Sequence, residues 1–180
     1  MSIKFRDLKL SALVSLKSKL ESETDTPCRL FSDSHVIEPL QFIDLLDYVE
    51  AHPLCYFRSK NQQHEYLALG SITKIETSEL DQVLESSSLN DHLHIFGSWR
   101  FDDQRALGEE WSFLGDGFFF VPRVLFKKDK QRYELVINYT QAEMITSDSR
   151  MKVLLEVESL LTFKRRQETP HFLDLKDTNQ

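Results

Sequence analysis

The spacing of apolar residues changes several times along the chain, and each change marks an element. Between Ile3 and about Glu21, Phe5, Leu8, Ala12, Leu16 and Leu20 recur in three- and four-residue steps. Lys4, Arg6, Lys9, Lys17 and Lys19 fill the gaps, which predicts an amphipathic helix. Glu21 to Pro27 is polar, and Cys28 to Phe31 follows as a short strand candidate. Pro39 suits the first position of a second helix, where its missing N–H needs no partner. Phe42, Ile43, Leu46 and Val49 would be the buried stripe of that helix, and Pro53 ends it. Leu54–Phe57 and Glu65–Ile72 form a predicted hairpin across the polar turn Lys60-Asn61-Gln62-Gln63. Gly70 within its second strand points to a bulge or a close backbone approach.

Ser78 with Asp81 resembles a capping box ahead of a short helix from about Glu79 to Glu85. Ser86 to Asp91 breaks the helix, and His92–Phe96 begins the next strand. A polar loop from Phe101 to Gly117 is long enough to be functional in a compact domain. Two long strands, Phe118–Lys127 and Arg132–Tyr139, turn at Asp129-Lys130. Pro122 cannot donate to a ladder, so the first of them must be bulged or at an edge there. Ser147 or Asp148 caps a last helix, Ser149–Arg166, with Met151, Leu154, Leu155, Val157 and Leu161 on its apolar side. Hairpins alternating with helices give the α+β class, antiparallel sheet with helices packed on the outer face.

Composition narrows the function. The chain has 180 residues, enough for one domain that buries roughly 70% of its unfolded surface. A net charge of −7 disfavours nucleic acid and anionic membrane as partners. The run Lys164-Arg165-Arg166 fits the C-terminal end of a helix, where it complements the dipole. No apolar run reaches the roughly 20 residues of a membrane span, and the lysine-rich N-terminus is no signal peptide. The expected location is therefore the cytoplasm, with Cys28 and Cys55 as reduced thiols.

Few residues offer chemistry. His92 and His94 share one side of a predicted strand, but spacing places no third metal ligand beside them. Cys55 has His52 nearby with Pro53 between, and nothing lowers its pKa, so it belongs to the core. Asp102-Asp103 and Glu109-Glu110 are adjacent pairs in the long loop, which does not create the separation that paired acid–base catalysis needs. Arg123 sits in a very apolar strand, which suits an edge position or a snorkelling side chain better than an anion site. No catalytic, substrate-binding or metal residue follows.

Three ordered phrases carry a resemblance. Tyr66-Leu67-Ala68-Leu69-Gly70-Ser71-Ile72, His94-Ile95-Phe96-Gly97-Ser98-Trp99-Arg100-Phe101-Asp102 and Gly117-Phe118-Phe119-Phe120-Val121-Pro122-Arg123-Val124 resemble, in order and spacing, phrases near the start of menaquinone-type isochorismate synthases. The resemblance covers about Tyr56 to Leu161. It implies the chorismate-utilising superfamily and an α/β/β/α fold of two packed antiparallel sheets, with chorismate and Mg²⁺ between them. In such enzymes a lysine activates water for attack at C2, a glutamate protonates the departing C4 hydroxyl, and carboxylates hold the metal. No segment here matches the motifs of those residues. Leu20-Glu21-Ser22 resembles the tryptophan-feedback signature of anthranilate synthases, but it ends a helix and is an accidental match.

The expectation is therefore that residues 1–180 form a single N-terminal framework portion, without the catalytic chorismate-binding portion. Chorismate and Mg²⁺ would belong to the full-length enzyme, and no cofactor is expected on this chain. An apolar face rich in Phe118–Phe120 would be exposed and drive self-association. The alternative is a stand-alone binding or regulatory module that uses the 101–117 loop, with Trp99 and Trp111 as anchors.

Overall fold

A computed structural model describes residues 13–14, 30–81, 83, 93–99 and 117–163. Apart from helical Leu13 and Val14, the predicted first helix lies outside them, as do Cys28, residues 101–116 and the run Lys164-Arg165-Arg166. The elements are β1 (Leu30–Val36), a 3-10 helix (Phe42–Tyr48), β2 (Leu54–Arg58), β3 (His64–Leu69) and β4 (Thr73–Ile75). A 3-10 turn (Thr77–Glu79), β5 (Phe96–Trp99), β6 (Gly117–Val121), β7 (Val124–Asp129) and β8 (Arg132–Thr140) follow, then α1 (Gln141–Met144) and α2 (Ser147–Leu160). No described helix is long and apolar enough to cross a membrane.

The strands form two antiparallel sheets, one ordered β1-β8-β7-β3-β2 and the other β4-β6-β5. The expected single strand Phe118–Lys127 is in fact two, β6 at the centre of the small sheet and β7 at the centre of the large one. Pro122 is the reason. It cannot donate to a ladder, and the chain leaves one sheet for the other where the donor is missing. The partner ribbon β3–β4 breaks at the same level. Leu69 pairs with Val124 in the large sheet and Thr73 with Val121 in the small one. Gly70, Ser71 and Ile72 thus face only Pro122 and Arg123, the extra residue of a bulge. The bulge anticipated from Gly70 is present, with a backbone φ of +64°.

Period-two alternation sorts the large sheet's side chains into two layers. Leu67, Leu69, Val124, Phe126, Leu135, Ile137 and Tyr139 point outward, beneath the 3-10 helix and α2. Ala68, Leu125 and Val136 point inward, where Phe120, Phe96 and Phe118 of the small sheet meet them. The small sheet's other face, with Ile75, Phe119 and Val121, is covered by Leu80 and Val83. The layers run helix, large sheet, small sheet, with helical Leu80 and Val83 on the far side. Burial of Phe119 and Phe120 at this depth corrects the expectation that the Phe118–Phe120 strand is an exposed face.

Several local readings change for identifiable reasons. The 42–48 helix is 3-10, with three residues per turn, so Phe42, Leu45 and Tyr48 fall on one row. Phe42 and Leu45 are buried while Ile43 is exposed, and Pro39 lies outside the helix. Residues 93–95 are not in a strand; β5 begins at Phe96, and its polar Gly97-Ser98 pairs with Phe119 and Phe118. Gly97 allows that register, because a Cβ there would sit 2.0 Å from the Phe118 carbonyl oxygen. Glu76, without a side-chain cap, precedes the 77–79 turn, so Ser78 and Asp81 form no capping box there. The last helix starts at Ser147 under a Thr146–Ser149 box. It buries Val153 and Val157, with Leu161 just beyond its end, and leaves Met151 and Leu155 exposed.

Gly70 gives a direct test of the corner. A methyl group there would lie 3.1 Å from Leu160 Cδ1, at a φ that L-residues disfavour by about 1–2 kcal/mol. Gly70→Ala should lower stability by at least about that amount, read as a drop in the urea midpoint at unchanged slope. Glycine at Gln62, whose φ is also positive at 58° in an exposed turn, should by contrast leave the midpoint level or raise it.

Candidate functional site

The densest polar chemistry in the described residues lies where the two sheets divide. Arg123 follows Pro122 at that corner and is only 3% exposed. Its Nη1 donates to the Asn138 carbonyl at 2.9 Å and to Glu143 Oε2 at 3.1 Å. Its Nη2 donates to Glu143 Oε1, and Nε to Glu156 Oε2 at 3.0 Å. All three guanidinium nitrogens are thus held by the protein itself. In place of an edge or snorkelling position or an anion site, Arg123 forms an internal ion-pair centre.

Local sequence rules build the partners. Thr140 and Glu143 form a capping box at the start of α1: Thr140 N–H donates to Glu143 Oε2 at 2.7 Å, and Glu143 N–H to Thr140 Oγ1 at 3.3 Å. The box fixes the carboxylate that grips Arg123. Asn138, fully buried, donates through Nδ2 to the Pro122 carbonyl at 2.8 Å and through its backbone N–H to the Arg123 carbonyl at 2.9 Å. Its Oδ1 accepts from Ser32 Oγ at 2.6 Å. Burial alone would lower the Arg123 pKa, but the hydrogen bonds and charges of Glu143 and Glu156 raise it overall. Burial alone would raise the Glu143 pKa, and the Arg123 and Thr140 hydrogen bonds hold it below the ordinary carboxylate value.

The other candidates do not converge. His94 lies outside any strand with its ring 5.6 Å from that of Tyr66, and His92 is outside the described residues. Cys55 is half-buried on β2, where burial raises its pKa, and His52 is exposed. Trp99 is 62% exposed at the end of β5, with its ring edge-on to Phe119 at 4.8 Å. Asp102, Asp103, Glu109, Glu110, Trp111 and Leu20-Glu21-Ser22 lie outside the described residues. A cavity of about 260 Å³ between Tyr48, Glu50, Ser159, Leu160 and Thr162 holds one carboxylate and no base or nucleophile pair.

The described carboxylates do not fit a magnesium ion. Glu143 and Glu156 are turned onto Arg123, Glu134 accepts from Arg132 at 2.7 Å and Ser34 at 3.0 Å, and Asp33 lies 3.0 Å from His35 Nε2. Among the described residues no three of His, Cys, Asp and Glu are grouped to hold a metal.

A family model described as chorismate binding enzyme matches residues 14–179. The chain belongs to that family. The structure is similar to that of MenF, the menaquinone-specific isochorismate synthase from Escherichia coli, with a TM-score of 0.62 and 17% sequence identity. The match covers 87% of this chain and 35% of MenF, so the chorismate-binding family member described here spans about a third of that structure's length. No curated protein matches the sequence. The likeness to MenF establishes the shared α+β, two-sheet fold, in line with the layers expected from the three sequence phrases.

Sequence reasoning missed Glu143 and Glu156 as partners of Arg123. The Thr140-x-x-Glu143 spacing was a legible capping signal, and a lone arginine in an apolar strand demanded an acidic partner. Arg123→Met should cost about 3–5 kcal/mol, because two carboxylates lose the charge that compensates them. Its stability also depends on pH in a defined direction. The folded pKa of Glu143 is depressed, so its contribution is present above the unfolded-state pKa near 4.3 and is lost as pH falls through the lower folded value. Glu143→Gln should flatten the stability curve in that acid window, measured by denaturation between about pH 3 and pH 6.

Proposed function

We propose that this chain is the framework portion of an isochorismate synthase of the menaquinone type, one domain over residues 1–180 that braces the part of the fold where chorismate is converted to isochorismate. The observation that carries the proposal is the two-sheet corner. Its strands match about a third of the MenF fold, while its buried arginine is spent on holding the corner with Glu143 and Glu156. Ion pairs that close on one another serve geometry and leave no group to move a proton to or from substrate. In this reading water activation, protonation of the leaving hydroxyl and Mg²⁺ binding belong to the part of the fold that this chain does not span. The setting is the cytoplasm, where chorismate is the whole enzyme's substrate.

A second reading, a binding module acting through residues 101–117, draws on one observation. Trp99 stands largely exposed on the strand that leads into that segment. Large aromatic side chains are frequent anchors of recognition surfaces. Under this reading Trp99→Ala would weaken binding of a partner without disturbing the corner.

The purified chain, supplied with chorismate and Mg²⁺ in an assay coupled to isochorismate consumption, is expected to show no turnover above buffer. Measurable isochorismate formation that survives repeated purification would overturn the framework reading.

A further inference from the structure

Among the described residues, the ends of two hairpins collect positive charge. The strand order β8-β7-β3-β2 places the β2–β3 and β7–β8 turns side by side at one end of the large sheet. There Arg58, Lys60, Lys127, Lys128, Lys130 and Arg132 outnumber Glu65, Asp129 and Glu134, in a chain whose net charge is −7. Everything outside this end is therefore more acidic than the whole.

Two of the three local carboxylates are hydrogen-bonded, whereas Asp129 Oδ1 has no hydrogen-bond partner among the described residues. Arg132 holds Glu134 at 2.7 Å, His64 lies 3.3 Å from Asp129, and the Tyr56 hydroxyl donates to Glu65 at 2.9 Å. Lys128 stands over the Tyr133 ring at 5.5 Å. Lys60, Lys127 and Lys130 have no ion pair among the described residues, and Lys60 and Lys130 are exposed at the two tips. Three like charges kept near each other without a close ion pair cost the fold something, which an anionic partner would relieve.

The tips are also rigid. Asn61 Oδ1 accepts from Ser59 Oγ at 2.8 Å and Gln63 N–H at 3.2 Å, and Gln62 N–H donates to the Ser59 carbonyl at 2.8 Å. Lys130 N–H donates across to the Gln63 carbonyl at 2.6 Å, tying one tip to the other. The lysine backbones are thus preorganised, which lowers the ordering cost of binding. Beside them Phe57 is 52% exposed on β2 and gives an apolar contact next to the charges.

We propose that this end of the large sheet is a docking surface for a short acidic polypeptide segment. Its size favours that partner. Four neighbouring strand ends at about 4.8 Å spacing span about 14 Å, the reach of about four residues of extended chain. A nucleic acid or an anionic membrane extends well beyond such a patch and would meet the acidic remainder of the surface, where repulsion opposes it. A short acidic segment ends within the patch and meets only the charges that attract it.

The test uses the full chain and a fluorescein-labelled hexaglutamate peptide, followed by fluorescence anisotropy. Saturable binding is expected at low salt and should fade as ionic strength rises to about 0.3 M, where screening shortens below about 6 Å. The Lys60→Glu, Lys130→Glu double variant should weaken binding by about fivefold or more, whereas Lys74→Glu with Lys152→Glu, the same charge change elsewhere, should weaken it by less than about twofold. Thermal unfolding by circular dichroism checks that both doubles are folded. Equal losses in the two doubles, or no saturable binding at low salt, would overturn the proposal. So would tighter binding of oligothymidylate or phosphatidylserine vesicles than of the peptide. Salt-sensitive self-association of the unliganded chain that the Lys60/Lys130 double abolishes would assign the surface to a second copy instead.

Discussion

A buried guanidinium at a point where the chain must change sheets constrains everything around it. Pro122 ends the hydrogen-bond ladder of β6, and Arg123 begins the turn into β7 with nowhere in solvent to send its charge. An unpaired cation there would be prohibitive, so α1 must supply Glu143 and α2 must supply Glu156. Both helices are thereby fixed against the same corner. The pairs need add little net stability, since burying them costs about as much as their attraction returns. Their effect is on geometry: a sheet bent elsewhere would strand the charge.

The same constraint orders the two halves of the sheet packing. Gly70 and Arg123 oppose each other across the bulge, and the space that a side chain at Gly70 would need is taken by Leu160 and the Arg123 Cβ. Asn138 closes the gap from β8, bonding the main chain on both sides of the break. Two sheets joined this way share a buried apolar interior of Ala68, Leu125, Val136 and Phe120, so neither can slide without opening the other.

How far the sequence discloses this structure depends on the range of the interaction involved. The β2–β3 and β7–β8 hairpins were legible because turn chemistry and alternation are local, and Gly70 and Pro122 correctly marked a break. The consequence of the break was not legible. A strand that passes from one sheet into another looks like one long apolar strand, because both halves are central and buried. The 3-10 form of residues 42–48 was hidden for a similar reason, as three- and four-residue spacings overlap within so short a segment. Helix α2 is foreseen, but its cap is Thr146 rather than Ser147 or Asp148, and it ends at Leu160, short of Arg166. Met151 and Leu155, expected on its buried side, are exposed, since an apolar side chain does not report which neighbour faces it. The family phrases succeeded where periodicity failed, since they encode the whole corner in order.

The inner face of the large sheet shows how such a framework can hold its shape. On the β3–β7 side it is apolar and covered by the small sheet. On the β1–β8 side it turns polar, with Ser32 bonded to Asn138, and Ser34 and Arg132 bonded to Glu134. These groups satisfy one another along the strand pair, so the face does not depend on an apolar cover to avoid a penalty. A sheet that is apolar where its own small sheet rests and self-satisfied beyond it can keep its register without an apolar cover over the whole face. That property suits the framework role proposed for this chain. It fits a chain in which Arg123 is closed off by Glu143 and Glu156, and Glu134 by Arg132 and Ser34.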